Sequence, residues 1–451
     1  MSGKLRLGLF VVAVGLTSTL VAYPLLVTPS GSHSFRISGN SMAGVLYGRH
    51  AAVRCPGCQI RHRLEPVHPG TPRDVPCPNC QSRLPLESAA ETVEANRVIV
   101  DRQSLLQRAP KRWEIVSARD PETPNRLVVK RIVGLPGDTI GFCDGELLVD
   151  GTAVTLMHDV PRNPADLLSN AQMRTIYDDR FRRDDKSRWQ STTEGWRLTP
   201  SGFETEAPPP VPAWITYRHE NVHPGTDPGV IYDDDIFNTS VSRSLNVVHS
   251  VWLTATVHAQ GDGAILVRCV RENTAIVCEY SLSQQSWKIE STNSASATAT
   301  FGDRIPANAE RQVDQTQWPQ PATALTHASA PNPIEISIFL QSDRLRCQAD
   351  DDLLDIELHP GVAAGRAEIS IGAVQIEARL SNLVLQRPPF VSDDQPHPVR
   401  FQQTTLGGDE YFLLGDNCVI SRDSRHWPRH VRSEDILGVI ASPPMQSAPP
   451  E

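Results

Sequence analysis

The chain lacks what several protein classes need. It has no excess of positive charge: 43 Lys and Arg stand against 52 Asp and Glu, a formal net charge of −9. The basic residues form no long stripe either, so no nucleic-acid partner is expected. There is no Gly-x-Ser-x-Gly elbow with a His-Asp pair beside it, which removes the usual triad route to an activated serine. The cysteines do not come in an even number. With nine of them, at least one thiol is left over or pairs between chains. Proline, by contrast, is abundant: 37 of 451 residues, above the usual share of about 5%, which implies many loops and β-edges. The length sets a prior of two or three domains.

The apolar residues are not spread evenly. Leu7 to Val27 is a run of 21 residues without a charge, preceded by Lys4 and Arg6. At about 1.5 Å per residue it would reach roughly 30 Å, a bilayer core. It is longer than the apolar part of a secretory signal, and no clear small-x-small cleavage site comes after it. An uncleaved transmembrane anchor is expected. The charge bias puts residues 1–6 in the cytoplasm and everything after the anchor on the outer, periplasmic or extracytoplasmic side.

Next comes a polar linker, and then Phe35 to Val53, read as strand, turn and short helix. After it stand Cys55-Pro56-Gly57-Cys58 and Cys77-Pro78-Asn79-Cys80, eighteen residues apart. This is zinc-ribbon spacing: each tight pair can place two thiolates on one tetrahedral metal. A structural zinc is expected, with disulfides the alternative in an exported segment. His62 and His68 read as ordinary surface residues of the intervening loop.

Most of the chain beyond the ribbon reads as strands. Arg97 to Val100, Trp113 to Val116, Leu127 to Val133 and Glu146 to Asp150 form a first group. Asn163 to Tyr177 could open a short helix. Val251 to His258, Ala264 to Val270, Ala275 to Tyr280, Ile334 to Leu340, Leu353 to Leu358 and Ala367 to Leu385 alternate with period two, which suggests a β-sandwich. Cys269 and Cys278 could face each other across a hairpin as a disulfide. Asp233, Asp234 and Asp235 read as a solvated acidic loop rather than a calcium site.

Three stretches carry the chemistry. The first is Ile37-Ser38-Gly39-Asn40-Ser41-Met42-Ala43-Gly44-Val45-Leu46. The second is Val128-Val129-Lys130-Arg131-Ile132-Val133-Gly134-Leu135-Pro136-Gly137-Asp138. The third runs from Tyr411 through Gly415-Asp416-Asn417 to Ser421-Arg422-Asp423-Ser424-Arg425-His426-Trp427. A serine hydroxyl needs a base within hydrogen-bond reach. A lysine can serve only when neutral, and burial among apolar side chains lowers its pKa. Lys130 lies among valines and an isoleucine that could supply such walls.

In this order, behind an apolar N-terminal segment, the three stretches resemble the boxes of type I signal peptidases, membrane-bound Ser/Lys proteases. The resemblance covers about 28–155 and 396–442. It implies Ser41 as nucleophile and Lys130 as general base. It implies Ser421 as a hydroxyl on the lysine, Asp423 and Arg425 as a structural ion pair, and Gly415, Asp416 and Asn417 as the loop that shapes the site. The oxyanion would rest on the Ser41 backbone N–H. Some members carry a serine hydroxyl two residues before the nucleophile, where this chain has Gly39. Pro-Thr often comes after Ser-Met-x, where this chain has Gly44-Val45. Cys418-Val419-Ile420 replaces a more polar run.

The expected architecture is mainly β. It comprises an anchor (7–27), a catalytic domain in two parts (28–155 and 396–442), a ribbon insert (54–84), an inserted β-sandwich (156–395) and a tail (443–451). The implied partners are exported preproteins with signal peptides and membrane lipid. The implied reaction is cleavage after small residues, with no cofactor for catalysis. One alternative is an inactive relative whose ribbon and sandwich bind a protein or glycan. Another is a self-cleaving repressor-type peptidase, disfavoured by the anchor and the lack of a DNA-binding segment.

Overall fold

The computed structural model describes residues 32–66, 74–86, 90–143, 145–153, 174–182, 186–221, 229–241, 243–271, 274–293, 332–341, 344–358, 367–388, 391 and 403–441. The protein is mainly β, with 52% of the described residues in strands. The one described α-helix, Gln103–Gln107, has five residues. No described helix is long and apolar enough to cross a membrane. The stretch Leu7 to Val27 lies outside the described residues, as do His68 and the start of the expected helix at Asn163.

A seven-stranded antiparallel sheet carries the serine, the lysine and the third stretch. Its order is Ser32–Arg36, Arg97–Asp101, Ile436–Ala441, Ile115–Arg119, Leu127–Gly134, Glu410–Leu414, Val431–Arg432. The strand near the end of the chain, Ile436–Ala441, lies between two strands from its first third. The sheet therefore cannot close until residues more than 300 positions apart have met. Alternation builds it: in Arg97–Asp101 the side chains of Val98 and Val100 are buried and those between them exposed. A four-stranded sheet of Thr152–Ala153, Glu146–Val149, Thr139–Cys143 and Thr404–Thr405 lies alongside in sequence.

Two larger sheets, of eight and six strands, come from residues 174–387. Their inward side chains share one large apolar core, including Trp189, Phe203, Leu253, Ile265, Ile338 and Ile371. Strands run through Val251–Gln260, Ala264–Arg271, Thr274–Ser281, Ile334–Leu340 and Asp352–Glu357. The long expected strand from Ala367 is two, Ala367–Val374 and Glu377–Arg387, separated by a turn in which Gln375 has φ 55°.

Several local expectations are corrected. Tyr177 ends no helix; Arg174–Asp178 is a strand paired with Glu377–Arg387. The segment after Phe35 holds a strand and a turn, but no helix before His50–Arg54. Cys269 stands opposite Ile276, and Cys278 opposite Val267, so the hairpin register keeps the two thiols from bridging. Asp233 to Asp235 are not a solvated loop. Asp233 pairs with Arg243 at 2.7 Å, Asp235 with Arg174 at 3.3 Å, and the Asp234 carbonyl accepts from Arg387 at 2.5 Å.

Candidate active site

The turn that carries Ser41 is held from within. Ala43 N–H donates to the Asn40 carbonyl at 3.0 Å, and Leu46 N–H to the Met42 carbonyl at 2.8 Å. Met42 and Leu46 are buried against Ile37, Val98, Val100 and Ile440. These two apolar anchors leave Ser41 half-buried, in the wall of a cavity of about 380 Å³. Val98, Val100, Val128 and Lys130 line the same cavity.

Lys130 sits mid-strand in Leu127–Gly134, opposite Val116, and is 3% exposed. Burial brings its amine down to about 8; the Asp423 carboxylate opposes this in part and Arg425 reinforces it. The amine donates to Ser421 Oγ at 2.9 Å. It makes no hydrogen bond to Ser41 Oγ in this geometry, although both side chains line one cavity. The next residue, Arg131, points to the other side of the strand, as the period of two requires. It grips Asp416 with two hydrogen bonds, of 2.9 and 2.8 Å. The adjacent Lys130 and Arg131 thus reach both halves of the third stretch.

That stretch is pinned by a second buried pair. Arg425 holds Asp423 through Nε to Oδ1 at 2.8 Å and Nη2 to Oδ2 at 3.0 Å. Burial alone would raise Asp423, but Arg425, helped by Lys130 and Ser421, outweighs it and the carboxyl falls to about 2. Asp423 also accepts from the Gly415 N–H at 3.1 Å. Gly415 is needed for close approach: a Cβ there would strike both the Ser421 hydroxyl and the Ser41 carbonyl. Asn417 donates its N–H to that same Ser41 carbonyl at 3.0 Å. The structure thus brings together Ser41, Lys130, Ser421, Asp423, Arg425 and the Gly415–Asn417 loop. Cys418 is accommodated as a buried thiol that donates to the Gly415 carbonyl at 3.2 Å, and burial pushes it up to about 11.

Two residues at the site carry no signal in sequence. Arg174 Nη2 donates to the Ala43 carbonyl at 2.7 Å, and Asn238 exchanges two hydrogen bonds of 2.9 Å with Asn417. Both belong to the two-sheet unit.

The four cysteines of the ribbon converge. Cys55, Cys58, Cys77 and Cys80 have all sulfurs within 4.8 Å of one another. Cys55 to Cys80 is 3.5 Å and Cys58 to Cys77 is 3.6 Å. Those separations are far from a disulfide's 2.05 Å or so. They approach the edge of a tetrahedron with metal–sulfur bonds of about 2.3 Å, so the cluster could hold a metal. His62 is no surface residue: it is buried, with Nε2 3.1 Å from Cys77 Sγ. The hydrogen bond between Cys58 and Cys77 pulls the Cys58 thiol well down and pushes Cys77 well up, so the pair holds a proton between them.

Comparison with known proteins points the same way as the motifs. A family model described as signal peptidase, peptidase S26, matches residues 80–200. That span contains Lys130 but neither Ser41 nor the 411–427 stretch. The mitochondrial ATP-independent inner membrane protease subunit 1b of Arabidopsis thaliana is 43% identical over 47 residues, 10% of this chain and 28% of that protein. The chain thus matches less than a third of that relative's length. These matches support a signal-peptidase-like family, of serine-peptidase type at the family level. Among solved structures, a carbohydrate-binding module of Bacillus subtilis, CBM66, is similar at 11% identity and a TM-score of 0.25, over 44% of this chain and 96% of that one. The VIP36 exoplasmic/lumenal domain is similar at 8% identity and a TM-score of 0.25, over 48% and 87%. Likenesses at such scores carry no argument.

Proposed function

We propose that the chain is a membrane-bound serine endopeptidase that removes signal peptides from exported preproteins, with Ser41 as nucleophile and Lys130 as general base. One observation carries this reading: a buried lysine amine, hydrogen-bonded to Ser421, on a residue that lines the same cavity as Ser41, a cavity walled by valines on one side and edged by Asp120, Arg126 and Arg422. A neutral Lys130 takes the hydroxyl proton as Ser41 Oγ adds to the scissile carbonyl. The oxyanion accepts from the Ser41 backbone N–H. The lysine then gives its proton to the departing amine, and the acyl group on Ser41 is released by water that Lys130 deprotonates in turn. Ser421 orients the amine. Asp423 with Arg425, and Asp416 with Arg131, hold the loops on which this depends. An extended peptide fits a cavity walled by Val98, Val100 and Val128. The family resemblance implies small residues at −1 and −3.

On this reading residues 7–27 anchor the chain, with the catalytic part on the outer side of the membrane, where preproteins emerge. The ribbon cysteines would hold a structural zinc, and residues 156–395 would form an inserted β-sandwich. The departures that favoured an inactive relative have local explanations, Cys418 in its hydrogen bond to Gly415 and Gly44 in its contact with Arg174. The test is to incubate the purified full-length protein, in detergent, with a preprotein bearing small −1 and −3 residues. Cleavage at that site by the wild type and none by Ser41→Ala is expected. No cleavage by the wild type, or equal cleavage by the variant, overturns the assignment.

A further inference from the structure

The geometry points to Arg174 and Asn238, which lie outside all three motifs, as positioning residues for the nucleophile. The inference rests on the Ser41/Lys130 reading and extends it to the two-sheet unit. Arg174 opens the strand Arg174–Asp178. Its Nη2 donates to the Ala43 carbonyl at 2.7 Å and to the Asp416 carbonyl at 3.4 Å. One guanidinium therefore ties the turn carrying Ser41 to the loop that borders Ser421. Its Nε is held at 3.3 Å by Asp235. Asp235 also caps the short turn Ile236–Asn238, accepting from the Phe237 N–H at 2.8 Å. At the end of that turn, Asn238 exchanges its two hydrogen bonds with Asn417. Asn417 in turn holds the Ser41 carbonyl. Two arms of the unit, joined through Asp235, thus converge on the same pair of loops.

Gly44 matches this arrangement. Its φ is +109°, and a Cβ there would run into the Arg174 guanidinium. The departure from Pro-Thr after Ser-Met-Ala opens the space that Arg174 enters. The Ala43 carbonyl is only two residues from the Ser41 hydroxyl. Misplacing a reacting group by about 1 Å can cost roughly 10²-fold in rate. Arg174→Lys would keep the charge but not the planar fork that meets Asp235 through Nε while Nη2 reaches the two carbonyls.

The experiment uses the full-length protein with Arg174→Ala, Arg174→Lys and Asn238→Ala. For Arg174→Ala, kcat is expected to fall by roughly 10²-fold, with KM little changed and Tm within a few degrees of wild type. Arg174→Lys should recover little, whereas added methylguanidinium should restore part of the Arg174→Ala activity. Backbone hydrogen exchange should speed up in 38–46 and 415–421 in both alanine variants. Unchanged exchange in those segments, or unchanged kcat in both alanine variants, overturns the proposal. Loss of KM and Tm together, with no rescue, would make Arg174 a mere fastener of the two-sheet unit and overturn it too. If Arg174→Ala does not fold, Asn238→Ala decides by the same readouts. The exchange measurement needs no turnover, so a wild type that cleaves nothing would sink the peptidase reading and leave this one to be judged on exchange.

Discussion

Lys130 Nζ donates to Ser421 Oγ at 2.9 Å across 291 positions of sequence. The bond joins the amine of a strand in the first third of the chain to a hydroxyl near its end. It also gives the buried amine a partner, without which an isolated buried donor would be costly. Ser41 and Lys130 line the same cavity. On the proposed reading, attack needs the hydroxyl and the amine to close on each other, as often happens when substrate binds.

The pH dependence has its origin in that burial. As the proposed general base, Lys130 would act only when neutral, so kcat/KM should rise with pH and level off above about 8. Lys130→Arg cannot deprotonate and should lose at least roughly 10³-fold. A variant that kept most of its activity would make Lys130 an electrostatic neighbour only. Stability has the same origin. The folded-state pKa lies below the ordinary 10.5, so the unfolded chain binds more protons between about 8 and 10.5. Burial of the ammonium is thus a full cost below about 8, relieved as pH rises through that window. Lys130→Met should raise stability at pH 7, by at most on the order of 3 kcal/mol, while abolishing cleavage. Calorimetry at pH 7 checks it, and a lower Tm for the methionine variant would count against the argument.

Ser421→Ala should separate orientation from basicity. The hydroxyl accepts from the amine, so it favours the charged form. Its removal should move the midpoint of the pH profile downward while kcat drops, by roughly 10²-fold if the amine is misplaced by about 1 Å. A profile unmoved in midpoint and height would mean that Ser421 does not orient the base.

Much of the fold was legible because the relevant periods are local. Arg97 to Val100 reads as a strand because it is apolar and β-branched, and Ile334 to Ile338 alternates because neighbouring side chains must face opposite ways. The three motifs could be read because each is a short run with its own chemistry. What could not be read depends on the tertiary fold. Arg174 meets Ala43 across 131 positions, and Asn238 meets Asn417 across 179. His62 reaches Cys77 only once the ribbon strands pair. Asp233 to Asp235 looked solvated because Arg243, Arg174 and Arg387, which neutralise or cap them, are not their close neighbours in sequence.

Asp423 should be a stability residue before it is anything else. Its pair with Arg425 is buried on both sides, at 0% and 1% side-chain exposure. Asp423→Asn leaves a buried guanidinium without its charge partner, which typically costs about 3–5 kcal/mol. The depressed carboxyl adds a pH signature. Its contribution is complete above the ordinary value of 3.8 and disappears as pH falls through about 2. Denaturant titration at pH 7 and at low pH checks both. A difference between wild type and variant that did not shrink on acidification would show that the charge is not what stabilises the loop.

The ribbon should bind one zinc per chain, and the metal should matter beyond the ribbon itself. The second cysteine turn, Cys77-Pro78-Asn79-Cys80, is gripped by the two-sheet unit. The Asn79 amide donates to the Phe181 carbonyl at 2.9 Å and accepts from the Asp178 N–H at 2.8 Å, and Arg188 donates to the Pro78 carbonyl. A tetrahedral metal would fix that turn against Cys55 and Cys58, and so fix the unit that carries Arg174. Metal analysis of the purified protein should therefore return one equivalent of zinc. Chelation or Cys58→Ser should lower Tm and speed hydrogen exchange in 77–81 and 174–182 together. His62→Ala, which removes a contact to a ligand sulfur rather than a ligand, should weaken metal binding by roughly 10–100-fold without abolishing it. A folded protein with no metal and four titratable thiols at these positions would refute the zinc assignment. Exchange in 174–182 unaffected by chelation would leave the metal local to the ribbon.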